Sequence, residues 1–454
     1  MKKNTEILDG PIIPSLFWLA LPVVLTSLVS IAYNLTDTWF IGEYLGDKYV
    51  SAVAAGAFFI NFGMCFCNIS KIGGQILVAQ SIGAGKIINA RRYVRASIYI
   101  CIFFGTVYMV FVLLFHDFLI KLLGVKEITT LEGANEFLIA SSFGFVFLYG
   151  IITVSAILNG EGNTKIPFMF NALGLIMNVI LDYIFLKYLK MGIKGAAYAT
   201  VISQMVSCIL ICYYLFRKNK RFRKLKLFKI DSVKYYKRII KLGIPNGVNQ
   251  ALFSVFAIII GGMISQINED GLGIQRLGIQ FEAFSWNIGI GLSSAVATFV
   301  GQNYGAGNIE RLKKGYYVGL MWMVSVGSII TFIFMFGGRG LYSLYFDSPE
   351  RIALGVDYLR ILGISQIFMC AEITTTGAFN GVGKTIEPTI NSIFMTSLRI
   401  PLAYMLTPAL GLVGIWWSIS GTSILKGMIS IIWFLLILRK MTNNKKLEYE
   451  STGG

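Results

Sequence analysis

One histidine serves the whole 454-residue chain. It is His116, at the end of an apolar run beside Asp117, where an imidazole is expected to be a solvated surface group. Hydrolytic chemistry in or at a membrane would call for clustered His, Asp or Ser. No such constellation and no metal-ligand spacing occurs in the sequence. The chain therefore does not read as an enzyme, and no cofactor is expected. Cysteine is also sparse: Cys65, Cys67, Cys101, Cys208, Cys212 and Cys370 all fall in apolar runs, where they read as small packing residues. Charge is the scarcest commodity. Only 14% of residues are Asp, Glu, Lys or Arg, against about 25% in a typical globular chain. An ordinary soluble domain is excluded.

What remains is hydrocarbon. The chain is 55% hydrophobic with a mean hydropathy of +0.68. Apolar runs fall near residues 12–41, 50–79, 93–115, 136–159, 166–186, 193–216, 242–267, 278–302, 316–337, 355–379, 388–408 and 411–438. Most are near or above the roughly 20 residues that span a bilayer. The first is too long for a signal-peptide core and lacks a following cleavage site, so it is expected to be a retained span. The reading is an all-α membrane protein with twelve transmembrane helices. Pro22, Pro167, Pro245, Pro388 and Pro401 lie within or at the start of these helices, and Pro22 is a candidate kink in the first.

Of the 40 Lys and Arg, 27 fall in alternate loops and the two ends, twelve of them in the stretch 217–241. The positive-inside rule then places both termini in the cytoplasm, and the plasma (inner) membrane is the expected location. The net charge of +17 needs no nucleic acid, because a basic cytoplasmic loop sets topology and can meet anionic lipid headgroups. Membrane lipids are thus expected partners. A monomer is the default.

The chain is written twice. AQSIGAGK at 79–86 answers GQNYGAGN at 301–308, with Gln80 and Gln302 separated by 222 residues. NGEGNTKIP at 159–167 answers NGVGKTIEP at 380–388, offset 221, and MGIKGAA at 191–197 answers GLVGIWW at 411–417, offset 219. LALPVVLTS at 19–27 answers KLGIPNGVN at 241–249, aligned on Pro22 and Pro245. Four matches in one order at nearly one offset define two pseudo-symmetric six-helix lobes. Their expected bounds are 1–216 and 242–438, with a basic cytoplasmic linker at 217–241 and a cytoplasmic tail at 439–454. Six helices per half make the repeat parallel, the architecture of transporters that rock one half against the other.

The repeat is also an internal control on the buried acids. Asp182 interrupts the run NVILDYIFL, and Asp37 interrupts the first run. Their counterparts in the second half fall near Leu402 and Ile260, and that of Asn178 near Leu398, so the fold does not require these polar groups. Asn178 and Asp182 are i and i+4 on one helical face, with Asn171 seven residues back, and Tyr33 and Asp37 are likewise i and i+4. Counted from the outer helix ends at about 1.5 Å per residue, Asp37, Asp182 and Thr200 share a depth to within a turn or two. Ionisable residues inside a membrane are functional by default. Two carboxylates with amide and hydroxyl oxygens can ligate a sodium ion or share a proton.

GQNYGAGN, its copy AQSIGAGK, NLTDTWFIG at 34–42 and GAAYATVIS at 195–203 resemble the multidrug and toxic-compound extrusion (MATE) family, over nearly the whole chain. The resemblance implies a V-shaped pair of bundles that exports organic, often cationic or aromatic compounds in exchange for sodium ions or protons. It also implies that Asp37, Asn178, Asp182 and Thr200 form the cation site of the first lobe; helical spacing adds Tyr33 and Asn171 in support. One branch of the family adds acids on its seventh and tenth helices. The seventh run here, IPNGVNQALFSVFAIII, has none, and Glu372 in the tenth has no assured counterpart.

Five further charges sit within runs: Lys71, Glu282, Glu372, Arg399 and Lys426. Glu282 or Glu372 either neutralises Arg399 or faces a cavity and attracts cationic substrate. Lys71 lies too near mid-run to snorkel, so a polar partner is expected for it. Most of the 34 Phe, 22 Tyr and 7 Trp read as lipid-facing and interfacial filler. A flippase for lipid-linked saccharide stays as an alternative, which would call for a strongly cationic cavity. A membrane-embedded enzyme is the alternative of another class.

Overall fold

The computed structural model describes residues 7–124, 127–226, 229–267 and 269–452. Its elements are α1 (Ile12–Leu45), α2 (Asp47–Gly83), α3 (Ile87–Leu122), α4 (Ile128–Ser142), α5 (Phe145–Glu161), α6 (Lys165–Asp182), α7 (Gly192–Tyr213), α8 (Val233–Ile267), α9 (Glu269–Gly305), α10 (Ile309–Ser343), α11 (Pro349–Val382), α12 (Ile386–Leu410) and α13 (Leu412–Thr452). No strand occurs among the described residues. This is what hydrocarbon dictates, because only intrahelical bonds satisfy every backbone amide without water.

Among the described residues eleven helices are long and apolar enough to cross a bilayer, and α4 with α5, bent by 53°, brings the number to twelve when the pair is taken as one span. The sequence reads that stretch as one run. The break falls at Ser141–Ser142–Phe143–Gly144, where the Gly144 amide turns back to the Ser141 carbonyl at 2.9 Å. Clustered Ser and Gly are a common cause of kinks. A Cβ on Gly144 would stand 2.9 Å from Val201 Cγ2, so glycine there also lets α7 come close.

The repeat holds at the level of single hydrogen bonds. At the end of α2, Ala84 N donates to Gln80 O at 3.0 Å and Lys86 N to Ser81 O at 2.8 Å; at the end of α9, Ala306 N donates to Gln302 O at 3.0 Å and Asn308 N to Asn303 O at 2.8 Å. Gly85 and Gly307 both take left-handed backbone, at φ 70° and 71°. The later pair, Asn159–Gly162 and Asn380–Gly383, ends α5 and α11 with matching caps of 2.8 Å. Here the left-handed residue satisfies the last helical carbonyls, and glycine adopts it without a Cβ penalty.

By packing, the chain forms two compact units. One holds the residues up to Val24 and those from Ala251 onward; the other is Leu25–Gln250. The division thus runs through α1 and α8, and the basic linker belongs wholly to the second unit. Part of that linker is packed rather than solvated. Phe222 is fully buried, the buried Asn219 donates to Glu161 Oε2 at 2.5 Å, and Arg91 Nε reaches the Arg221 carbonyl at 2.6 Å. Arg95 donates to Lys229 O at 2.8 Å and pairs with the buried Asp231 at 3.3 Å. The linker therefore satisfies arginines of α3.

Within the second unit α8 crosses α2 at glycine. A Cβ on Gly243 would stand 2.2 Å from the Ile69 carbonyl oxygen, which is backbone and cannot move aside. Gly243→Ala is expected to destabilise the protein by about 1–3 kcal/mol. Gly262→Ala, with nothing within 4 Å of the added carbon, should be neutral or slightly stabilising. Thermal unfolding of the two variants in one detergent gives the comparison.

Candidate cation site

Asp37 sits on α1, Asn178 and Asp182 on α6 and Thr200 on α7, all in the second unit. The structure brings these four together. Asn178 Nδ2 donates to Thr200 Oγ1 at 3.4 Å, and Thr200 Oγ1 donates to Asp37 Oδ2 at 3.5 Å. Asp37 and Asp182 are close enough to act on each other's charge. Asn178 and Asp182 are fully buried.

The site is short of donors. Asp37 Oδ1, Asn178 Oδ1 and both carboxylate oxygens of Asp182 are buried without a hydrogen-bond partner among the described residues. An acceptor left unpaired in a low-dielectric interior is costly. Four converging oxygens of this kind match a small hard cation or a proton, either of which supplies the missing positive charge. Tyr33 is also at the site, with its hydroxyl near Thr200, Ser203 and both acids but lacking hydrogen-bond geometry to any. Asn171 is not. Its amide is used on its own helix, donating to the Pro167 carbonyl at 2.7 Å, about 10 Å along the axis from Asn178.

Local backbone shapes the site. The α-helical part of α6 ends at Asp182, and Tyr183–Tyr188 continues as a π turn that closes with Leu189 N on Ile184 O at 3.0 Å. Such widened turns recur at functional sites. Sequence periodicity carried no sign of this one. Beyond the acids, Phe40, Ile41, Leu186 and Ala196 form a buried cluster joining α1, the π turn and α7. It packs together the elements that carry or adjoin the four candidate residues.

The other charges resolve differently. Glu282 is buried on α9, with its carboxylate accepting from Tyr358 Oη at 2.6 Å and Gln366 Nε2 at 3.2 Å. Glu372 pairs with Lys426 at 3.5 Å and accepts from Thr376 at 3.1 Å. Arg399 donates to the hydroxyls of Thr422 and Ser423 at 3.0 and 2.9 Å and only feels both acids at longer range. Neutralisation is therefore real, but for Glu372 the partner is Lys426. Lys71 has no hydrogen bond or ion pair among the described residues; only the Cys67 thiol is near enough to sense its charge. His116 is half-buried and bonded through Nδ1 to Asn135 Oδ1 at 2.8 Å, not simply solvated. Among the described residues no group of three or more His, Cys, Asp or Glu is placed to hold a metal ion.

The MatE family model matches residues 22–184 and 245–405, most of the chain and both halves of the repeat. The chain belongs to the MatE family. It is 28% identical over 431 residues to the probable multidrug resistance protein NorM of Thermotoga maritima, covering 92% of this chain and 91% of that protein. The multidrug export protein MepA of Staphylococcus haemolyticus is 23% identical over 417 residues, covering 90% of each. Among solved structures, a MOP superfamily transporter from Pyrococcus furiosus superposes with a TM-score of 0.90 at 22% identity, over 97% of this chain and 98% of the other. MatE membership makes this a multi-pass membrane transporter and not an enzyme.

The Glu372–Lys426 pair has side chains only 10% and 11% exposed. Lys426→Met is expected to lose about 3–5 kcal/mol by stranding the carboxylate. Adding Glu372→Gln to it should recover most of that loss. A double-mutant cycle on thermal stability reads the coupling.

Proposed function

We propose that this MatE protein is a cation-coupled antiporter that exports organic compounds by alternating access of its two lobes. The coupling ion is sodium or a proton, carried as a transported species by Asp37, Asn178, Asp182 and Thr200. The observation that carries the reading is the convergence of four unpartnered buried oxygens from α1 and α6. Loading the site neutralises two acids held side by side, and unloading it restores their repulsion. The site therefore has a reason to differ in conformation between its two states. The names of the similar proteins, a multidrug resistance protein and a multidrug export protein, support small organic molecules as cargo. The distribution of Lys and Arg supports both termini in the cytoplasm, and the proposed location is the plasma membrane. A monomer suffices, since both halves lie in one chain.

The test is dye efflux from proteoliposomes, with sodium and pH gradients imposed separately. Asp37→Asn and Asp182→Asn are each expected to lower gradient-driven efflux at least about tenfold while dye binding is kept. The gradient that drives the wild type names the ion. Full efflux by both variants would make these aspartates structural.

A further inference from the structure

α2 carries a polar feature that the cation site does not use. Asn61, Met64, Asn68 and Lys71 follow at spacings of three, four and three, which puts them on one stripe of the helix. Asn61 is exposed and the other three are half-open. Asn61, Asn68 and Lys71 make no hydrogen bond or ion pair to any other described residue. Two amides and an ammonium in the middle of a spanning helix do not face hydrocarbon; such groups line water-filled passages or meet a ligand.

The neighbouring helix adds to the same chemistry. α8 lies on α2 through Gly243 against Ile69 and Gly247 against Cys65. Next to Gly247 is Asn246, whose buried Nδ2 has no hydrogen-bond partner among the described residues. Neither α8 nor α2 after Asp47 contains a single Asp or Glu. This part of the unit therefore offers N–H donors and the Lys71 charge, with Lys241 two residues from the Gly243 crossing and no carboxylate on α8 or on α2 beyond Asp47 to answer them.

The fold does not demand the stripe. At the offset of 222 that relates Gln80 to Gln302, its residues become Ala283, Trp286, Ile290 and Ser293 on α9. Ser293 there is satisfied by the Ile373 carbonyl at 2.8 Å. At these four positions the second copy carries no amide or ammonium, and its nearby Asn287 is satisfied by the Ala283 carbonyl at 2.8 Å, so the fold leaves the stripe free to serve a ligand.

We propose that this stripe is a substrate-recognition surface for an amphipathic organic anion. Lys71 takes the carboxylate, sulfonate or phosphate group, the amides of Asn68 and Asn246 donate to it, and the apolar body lies along Met64, whose soft side chain adapts to varied shapes. The inference rests on the transporter reading for what the surface serves, and it assigns the cargo a negative charge.

Binding to the purified protein in detergent tests it without any gradient, with fluorescence polarisation of carboxyfluorescein as the anionic probe and rhodamine 6G as the cationic one. Lys71→Gln is expected to weaken carboxyfluorescein binding by roughly tenfold or more while rhodamine 6G changes by less than about twofold. Lys71→Arg should keep most of the affinity, and Asn68→Leu should lose a smaller part of it. Unchanged carboxyfluorescein binding by Lys71→Gln, or an equal loss for both dyes, overturns the proposal. If binding discriminates as stated while proteoliposomes move neither dye under any gradient, recognition stands and the transport reading falls.

Discussion

Everything in this molecule answers to one constraint: a charge or an open hydrogen-bonding group in hydrocarbon must be compensated or removed. The backbone meets it by being helical from end to end. Side chains meet it in three ways that the structure keeps apart. Glu372 finds a cation, Glu282 finds two donors, and Arg399 finds two hydroxyls. Asp37, Asp182 and Lys71 are left incompletely answered. A resident group that nothing in the protein satisfies has a role only when something arrives.

That distinction separates the two halves of a duplicated chain. Both copies keep the same glycine turns, down to the same hydrogen-bond lengths, because those turns end helices and either half would fail without them. The incompletely answered charges within the spans sit in the first copy, where acids gather on α1 and α6 and Lys71 stands unpaired on α2. The second copy holds as many charges, yet pairs or bonds them internally. Duplication supplied the scaffold twice, and the polar chemistry then diverged.

How much of this was legible in the sequence follows from the range of the forces involved. The spans were readable because a bilayer sets a length, and the repeat because four motifs share an offset. Asp182 announced itself as the one acid in its run, and i to i+4 spacing placed Asn178 beside it. The same periodicity put Asn171 on that stripe, but periodicity fixes only where a side chain leaves the helix. Its amide found a closer acceptor in the Pro167 carbonyl, a local bond open to any Asn in a helix. Pairing across helices was not legible at all. Glu372 and Lys426 lie 54 positions apart, and nothing in either run says that they meet. Lys71 stood out as a charge in mid-run and a polar partner was expected for it, but only the structure shows that it and the amides on its stripe have none among the described residues.

The widened turn after Asp182 has a consequence of its own. A π turn holds about one residue more than an α turn, and here it lies between the acid and the loop that leads into α7. An insertion or deletion of one residue in Tyr183–Tyr188 can be taken up by widening or narrowing that turn, without rotating Asp182 away from Asp37. The chain thus has a length buffer next to its most exacting geometry. The loop into α7 is free to drift in size while the register of the acid stays fixed.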